Sequence, residues 1–401
     1  MLCVVRNERD ILPAFLDHYR ELQISEFVFI DHASTDGTGA YLHGEAGVTL
    51  MEAHGSYRTS YDGLAWLNAA GEKHCAGRWT IVVDADEFLI LPFGSGKDLA
   101  GVIRRLDREI SLGIFCPLVD FYPGSRTAAP SSEPYRSFAE LTERTPHFFP
   151  VNTVTLRKLP HFPCAELRSR IREQVTRTPG YIPPLGKVPL FFWHEGFRLK
   201  RSSHEGSILP LSDETGVLCH FKYRPGAERR AKEELARAER QDMTPVQSVL
   251  NAASAGDLSP GLAGASEFRS EEDLADAGWL GDAPGSFAEF WIAANQSRQE
   301  WTRHLLKDQG RPLAQTDAAA SSDRLFRDLL NSRSWRLTYR LRSWLVTRQH
   351  LPVRHLPERY PDPQGPAEAA RFITGSIWWD LTFPVRLAER LGRRKRWRLL
   401  K

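Results

Sequence analysis

The stretch WTIVVDADEFLIL, Trp79 to Leu91, sets three carboxylates, Asp84, Asp86 and Glu87, at the end of an apolar run. Ile81, Val82 and Val83 are β-branched and read as a strand buried on both faces. Unpaired carboxylates are rarely buried, so this strand end either carries a cation or opens onto a site. Residues two apart on an extended strand point to one side, which predicts that Asp84 and Asp86 converge on one object. Two oxygen ligands with no cysteine beside them suit a hard divalent cation, Mn2+ or Mg2+. Such an ion takes few protein carboxylates, fills its shell with water and substrate phosphates, and stabilises a diphosphate leaving group as a Lewis acid. The plainer alternative is that the two aspartates cap a loop or pair with Arg78 or Lys97. Glu87 is expected to orient backbone or a neighbour.

Other polar residues fall at comparable places. MLCVV is an apolar strand that breaks at Arg6, Asn7 and Glu8, and EFVFID is a second strand ending at Asp31 in a Ser34-Thr35-Asp36-Gly37-Thr38 turn. That turn is a helix cap, and a helix N-terminus there would also suit phosphate. Between these strands Ile11, Phe15, Leu16, Tyr19 and Leu22 keep helical spacing. A short helix, a weak strand near GVTLMEA and a helix near YDGLAWLNAAGEKH lead to the strand before Asp84. Alternating strand and helix imply a parallel sheet with right-handed crossovers, and ligands bind such sheets beyond the C-terminal strand ends. Further strands are expected at SLGIFCPLVDFYPGS, KVPLFFWHEGF and GVLCHFKY, and a charged helix at GAERRAKEELARAERQDM. Residues 124–180 give no clear pattern and 251–285 read as loop. FAEFWIAANQSRQEW and SDRLFRDLL read as helical.

VRNE, FIDHASTDGT, WTIVVDADEF, KVPL, SSH and LCHFKY occur in this order along about residues 1–225, with a weaker continuation to about 280. In these motifs the chain resembles the family 2-like glycosyltransferases of the GT-A fold, in a bacterial branch with an R-N-E start and a D-A-D-E-F motif. The resemblance implies an α/β, mostly parallel central sheet with flanking helices, and transfer of a sugar from a nucleotide-diphosphate donor. It implies that Asp31 reads the nucleotide base, although His32 and Ala33 depart from the common D-D-G-S or D-N-x-S form. Asp84 matches a residue near ribose and sugar, and Asp86 the principal metal ligand. His220 matches a late histidine that completes the metal or diphosphate site, so the implied metal set is Asp84, Asp86 and His220. Arg168, Arg170 and Lys187 match basic positions that hold phosphates, and Arg6, Asn7, Glu8 and Asp36 complete the implied donor-binding set. An inverting enzyme needs a general base within hydrogen-bond reach of the acceptor hydroxyl. His204, Glu195 and Asp213 are candidates, and His204 is preferred because an ordinary histidine titrates near neutral pH. Structural roles for His204 and His220, as hydrogen-bonded core histidines, stay open.

The chain of 401 residues, 41% hydrophobic and 26% charged, has the composition of a globular protein with room for more than one domain. Its five cysteines are widely spaced without a C-x-x-C pair, which argues against a disulfide framework or a thiolate zinc site. No leader pattern opens the sequence and no stretch approaches a membrane span, so a cytoplasmic location is expected. The net charge of +3 hides an asymmetry: residues 331–401 carry 16 Lys or Arg against 5 Asp or Glu, the remainder 37 against 45. Five of the eleven tryptophans lie in this basic tail, and SWRLTYRLR at 334–342 matches WWDLTFPVR at 378–386. The expected domains are a catalytic 1–225, a helical and loop extension 226–320, and a basic tail 321–401. Interleaved Arg and Trp suit docking on an anionic membrane surface, peripheral at the inner face. The alternative is that the tryptophans pack on the catalytic domain. Basic clusters bind phosphates, but no nucleic-acid module is recognisable, and no nucleic-acid partner is expected. The implied acceptor is a hydroxyl on a surface polysaccharide, a lipid-linked glycan or a glycoprotein. The competing functional readings are a sugar nucleotidyltransferase, which usually wants a Gly-rich basic loop that Arg6-Asn7-Glu8 is not, and a non-catalytic sugar-nucleotide or polyanion-binding scaffold.

Overall fold

The computed structural model describes residues 1–109, 111–123, 133–158, 165–194, 197–207, 209, 211–240, 242–254 and 264–296. Residues 297–401, with the duplicated tail element, lie outside them, as do Cys164 and Glu195. The described residues from 1 to 193 and from 201 to 296 belong to one compact unit. His194 and residues 197–200 belong to a second, in which the Phe197 N–H donates to the His194 carbonyl over 3.0 Å.

The strands are β1 Leu2–Val5, β2 Phe27–Asp31, β3 Val48–Glu52, β4 Arg78–Ile81, β5 Glu87–Ile90, β6 Gly113–Asp120, β7 His147–Phe148, β8 Val154–Lys158, β9 Ala165–Ser169, β10 Gly186–Trp193, β11 Leu199–Ser202, β12 Glu205–Gly206, β13 Val217–His220 and β14 Ser266–Glu267. The helices include α1 Leu12–Glu21, α2 Thr38–His43, α3 Leu64–His74, α4 Leu99–Arg108, α5 Phe138–Arg144, α6 Ile171–Thr176, α7 Ala227–Arg237, α8 Thr244–Ser254 and α9 Glu271–Asp276.

β1, β2 and β3 form a parallel three-stranded sheet in that order, and β4-β10-β6-β13-β5 form a mixed five-stranded one. A parallel bridge from Leu2 to Val82 joins them. β10 runs antiparallel to β4 and β6, β13 runs parallel to β6, and β5 runs antiparallel to β13. So β1, β2, β3, β4, β6 and β13 all point one way, and Val5, Asp31, Val83, Asp120 and His220 reach the same edge. The fold is mixed α/β with a parallel half, as the alternation of strand and helix predicts.

Burial follows from the residue types. All eight residues of the central β6 are buried, as expected for a strand covered on both faces. α1 buries Phe15, Leu16 and Tyr19 at helical spacing. Gly71 of α3 lets Trp193 approach so closely that a Cβ there would stand 1.9 Å from the indole. The β10 register slips between Lys187 and Leu190, where Pro189 has no N–H to give the ladder.

The sequence expectations need amendment in three places. Residues 84–86 are not strand: the chain turns after Val83 and returns as β5. The stretch 251–285 is not all loop, since α8 runs into it and α9 begins at a capping box on Ser270. Residues 124–180, without pattern in the sequence, hold α5, the β8-β9 hairpin and α6 in their described parts. Residues 287–296 are helical as expected, and Trp291 stacks on Phe115 with ring centroids 4.5 Å apart. No helix among the described residues is long and apolar enough to cross a membrane.

Candidate functional site

The turn after β4 fixes where its carboxylates go. Because Asp84 and Asp86 sit in a turn, the pleat argument that put them on one side does not apply, and the two face different partners. Asp84 is exposed, with one carboxylate oxygen 3.8 Å from Lys187 Nζ. Asp86 is 21% exposed, with Oδ2 3.6 Å from His220 Nε2 and 4.0 Å from Arg224 Nη1. Burial opposes ionisation of Asp86, but His220, then Arg224 and Lys222, outweigh it and hold its carboxyl well below the ordinary range.

β6 and β13 set His220 in place. Their parallel register puts His220 beside Asp120, and His220 Nδ1 lies 2.6 Å from Asp120 Oδ1. Arg172 of α6 clasps the same carboxylate at two points, Nε to Oδ2 at 2.5 Å and Nη2 to Oδ1 at 2.7 Å. All three side chains are buried. Burial lowers the basicity of His220, but Asp86 and Asp120 outweigh it and hold the imidazole up at about 9. The separation of Asp86 Oδ2 from His220 Nε2 is too long for a hydrogen bond. It exceeds by about 0.6 Å the ~3 Å between neighbouring ligands of one ion with bonds of ~2.1 Å, a gap that a small side-chain rotation closes. One carboxylate oxygen and one imidazole nitrogen suit Mn2+ better than Mg2+, which prefers oxygen. Among the described residues no group of three or more His, Cys, Asp or Glu forms a metal cage. A nucleotide-bound Mn2+ or Mg2+ needs only one or two side chains, because phosphates and water supply the rest.

No protein-family model matches the chain, and no curated protein matches it.

The remaining sequence candidates divide by what already holds them. Glu87 is buried, and its Oε2 accepts from Lys187 Nζ at 2.6 Å and from the Asp84 N–H at 2.9 Å. It therefore orients a neighbour and the turn backbone. Lys187, expected on phosphate, has no exposed side-chain surface and is committed to Glu87 and Asp84. Burial would discharge it, but Asp84 and Glu87 outweigh burial and raise its pKa. His204 has Nδ1 3.1 Å from the Gly186 carbonyl, so Nδ1 donates and Nε2 keeps the lone pair. Burial, then Lys187, pushes this histidine down to about 4, well below the near-neutral value expected of it. Asp213, the other described base candidate, accepts from Asn295 Nδ2 at 2.8 Å.

At the ends of β1 and β2 the motif residues build the loop that shapes the edge. Asn7 adopts a left-handed backbone at φ 54°; its Oδ1 accepts from the Thr35 N–H at 2.8 Å and its own N–H donates to Ser34 Oγ at 3.0 Å. Asp31 Oδ1 accepts from Ser34 Oγ at 2.5 Å. Asp36 accepts from the Thr38 and Arg9 N–H groups, both at 3.0 Å, so it ties the turn to the chain after β1. Arg6 Nη1 lies 3.1 Å from His32 Nδ1 and 3.4 Å from Glu239. Glu8 accepts from the buried Arg224 at 2.6 Å. Arg168 and Arg170 have local partners, Glu166 at 2.7 Å and Glu173 at 3.4 Å.

Sequence reasoning missed Asp120, Arg172, Arg224 and Asp10. Asp120 ends the apolar run IFCPLVD just as Asp84 ends IVVD, so a signal for it existed. Arg172 is the third arginine of RSRIR, and nothing in the sequence separates it from Arg168 and Arg170.

Proposed function

We propose that the chain is a GT-A-type glycosyltransferase that moves a sugar from a nucleotide-diphosphate donor to a hydroxyl acceptor, using Mn2+ in preference to Mg2+. The observation that carries the reading is the pairing of Asp86 and His220 across 3.6 Å at the edge where six strands end. The motif order from VRNE to LCHFKY, with its resemblance to family 2-like glycosyltransferases, supports it. Asp31 at the end of β2, on the same edge, supports a nucleotide beside the pair.

In this reading Asp86 and His220 would hold the ion, with phosphates and water completing its shell. When bound, the ion supplies positive charge to the diphosphate as it leaves. Asp31 accepts a hydrogen bond from a base N–H. Asn7 and Asp36 act indirectly, by holding the loop that shapes the nucleotide edge. Lys222, whose charge acts on Asp86 and whose Nζ lies 3.4 Å from Tyr181 Oη, adds to the field at the leaving phosphates. The acceptor oxygen bonds to the anomeric carbon as the bond to the diphosphate breaks, with inversion. His204 Nε2 takes the acceptor proton. Its depressed pKa keeps it neutral and able to accept at neutral pH, though a weaker base than an ordinary histidine. The acceptor is a glycan or lipid-linked hydroxyl, and residues 331–401 dock the chain on an anionic surface.

The test is hydrolysis of a panel of nucleotide sugars, read as released nucleoside diphosphate. At least one donor should turn over slowly with Mn2+ and not with EDTA. Turnover of none, or turnover indifferent to EDTA, would defeat the reading and leave a binding scaffold or a metal-independent enzyme.

A further inference from the structure

We propose that Asp120 and Arg172 are positioning residues that present His220 Nε2 to the metal, and that this makes the site select Mn2+ over Mg2+. The inference rests on the metal reading of Asp86 and His220. A nitrogen and a carboxylate oxygen 2.6 Å apart share a proton, so His220 Nδ1 carries hydrogen and donates to Asp120 Oδ1. The 3.3 Å approach of Arg172 Nη2 to that nitrogen is then a contact between two donors and not a bond. Arg172 acts on His220 only through Asp120, whose two oxygens it fixes.

With Nδ1 held on Asp120, Nε2 is the nitrogen that can bind a metal, which displaces the second proton that Asp86 and Asp120 keep on the imidazole, and it is the one that faces Asp86. A ligating histidine fixed through its other nitrogen by a carboxylate is a recurring support, and its loss typically costs 10–100-fold in metal affinity. Mg2+ holds to oxygen ligands and keeps its waters, whereas the transition ion Mn2+ accepts an imidazole nitrogen more readily. Loss of the support should therefore fall mainly on Mn2+. Three elements build this device: β6 gives Asp120, α6 gives Arg172 and β13 gives His220.

The experiment measures Mn2+ and Mg2+ dissociation constants of the full chain, with Mn2+ read by electron spin resonance and Mg2+ by competition. The variants are His220→Ala and the double change Asp120→Asn with Arg172→Met, which removes both charges and leaves neither buried alone. Both should weaken Mn2+ by 10–100-fold and Mg2+ by less than about threefold. Combined, they should cost no more than His220→Ala alone, because both act through one nitrogen. Spin-echo modulation from a directly bound nitrogen should be present in the wild type and absent from both variants. Arg172→Lys, which keeps the charge and loses the two-point clasp, should fall between; it replaces the double variant if that fails to fold. Unchanged Mn2+ affinity in a folded variant, or losses that add to that of His220→Ala, would overturn the inference. Asp86→Asn separates the two failures. If it loses Mn2+ while the Asp120 and Arg172 variants do not, only this inference falls. If no protein binds Mn2+, the metal reading falls with it.

Discussion

Arg224 offers a test of how the edge is held together. Its side chain is 1% exposed, yet it meets Glu8 at 2.6 Å, Asp10 at 3.2 Å and Asp86 at 4.0 Å. Arg224→Met keeps the aliphatic stem and removes the cation. Arg230 still holds Asp10 at 3.2 Å and His220 still stands 3.6 Å from Asp86, so the uncompensated charge falls mainly on Glu8. Removing one partner of a buried ion pair typically costs about 3–5 kcal/mol, and that is the loss expected at pH 7.5 by urea denaturation. Burial already raises Glu8 to about 7 in the wild type; without the guanidinium it titrates higher still, while His220 continues to hold Asp86 low. Wild-type Glu8 also takes up its proton near pH 7, so the deficit should shrink by less than about 1 kcal/mol between pH 7.5 and pH 5. Arg224 also competes with any cation at Asp86. At ~4 Å a unit charge pair is worth ~4 kcal/mol at an effective dielectric near 20, so Mn2+ should bind the variant at least about tenfold tighter. A deficit below about 1 kcal/mol at pH 7.5, or one that grows at pH 5, would refute the ion-pair argument. Weaker Mn2+ binding would refute the competition.

Three further outcomes follow. Burial pushes His18 down to about 4 from an ordinary 6.5, so its folded pKa lies below the unfolded one and stability is lost as pH falls from about 6.5 towards 4. His18→Gln, which can still donate to the Leu89 carbonyl, should gain on the wild type by about 3 kcal/mol between pH 7.5 and 4 in denaturation curves, and a constant gap would contradict this. Gly71→Ala improves helix propensity by about 1 kcal/mol, yet its Cβ would meet Trp193 at 1.9 Å. A net loss of about 1–3 kcal/mol from overpacking is expected, and a stabilised variant would show that α3 does not sit against Trp193. A chain ending near Ala320 should fold but lose most binding to anionic vesicles, and full-length binding should weaken with salt; equal co-sedimentation of both forms would remove the membrane role.

What was legible in the sequence was local. β-branched runs gave β1, β2, β4 and β6, helical spacing gave α1, and the polar residues closing those runs marked one edge of a sheet. What was not legible depends on distant partners. DEFLIL continues WTIVV in the sequence, but its pairing with β13 from 217–220 is what makes it β5. Once the chain turns there, the two-residue rule that joined Asp84 to Asp86 has no extended backbone to act on. Arg172 acquires its role because α6 brings it to Asp120, a contact 52 residues long in sequence. Lys187 reads as a phosphate ligand by type, and only the burial of β10 shows its ammonium committed to Glu87.

The most direct test of the central claim is thermal unfolding of wild type and Asp86→Asn with each common nucleoside diphosphate, in Mn2+ and in EDTA. At 100 times its dissociation constant a ligand of the folded state adds ~2.7 kcal/mol. The wild type should show that stabilisation with at least one nucleoside diphosphate in Mn2+ and little in EDTA, and Asp86→Asn should show little in either. No stabilisation by any of them, or equal stabilisation in EDTA and in Asp86→Asn, would contradict a metal-dependent nucleotide site at Asp86.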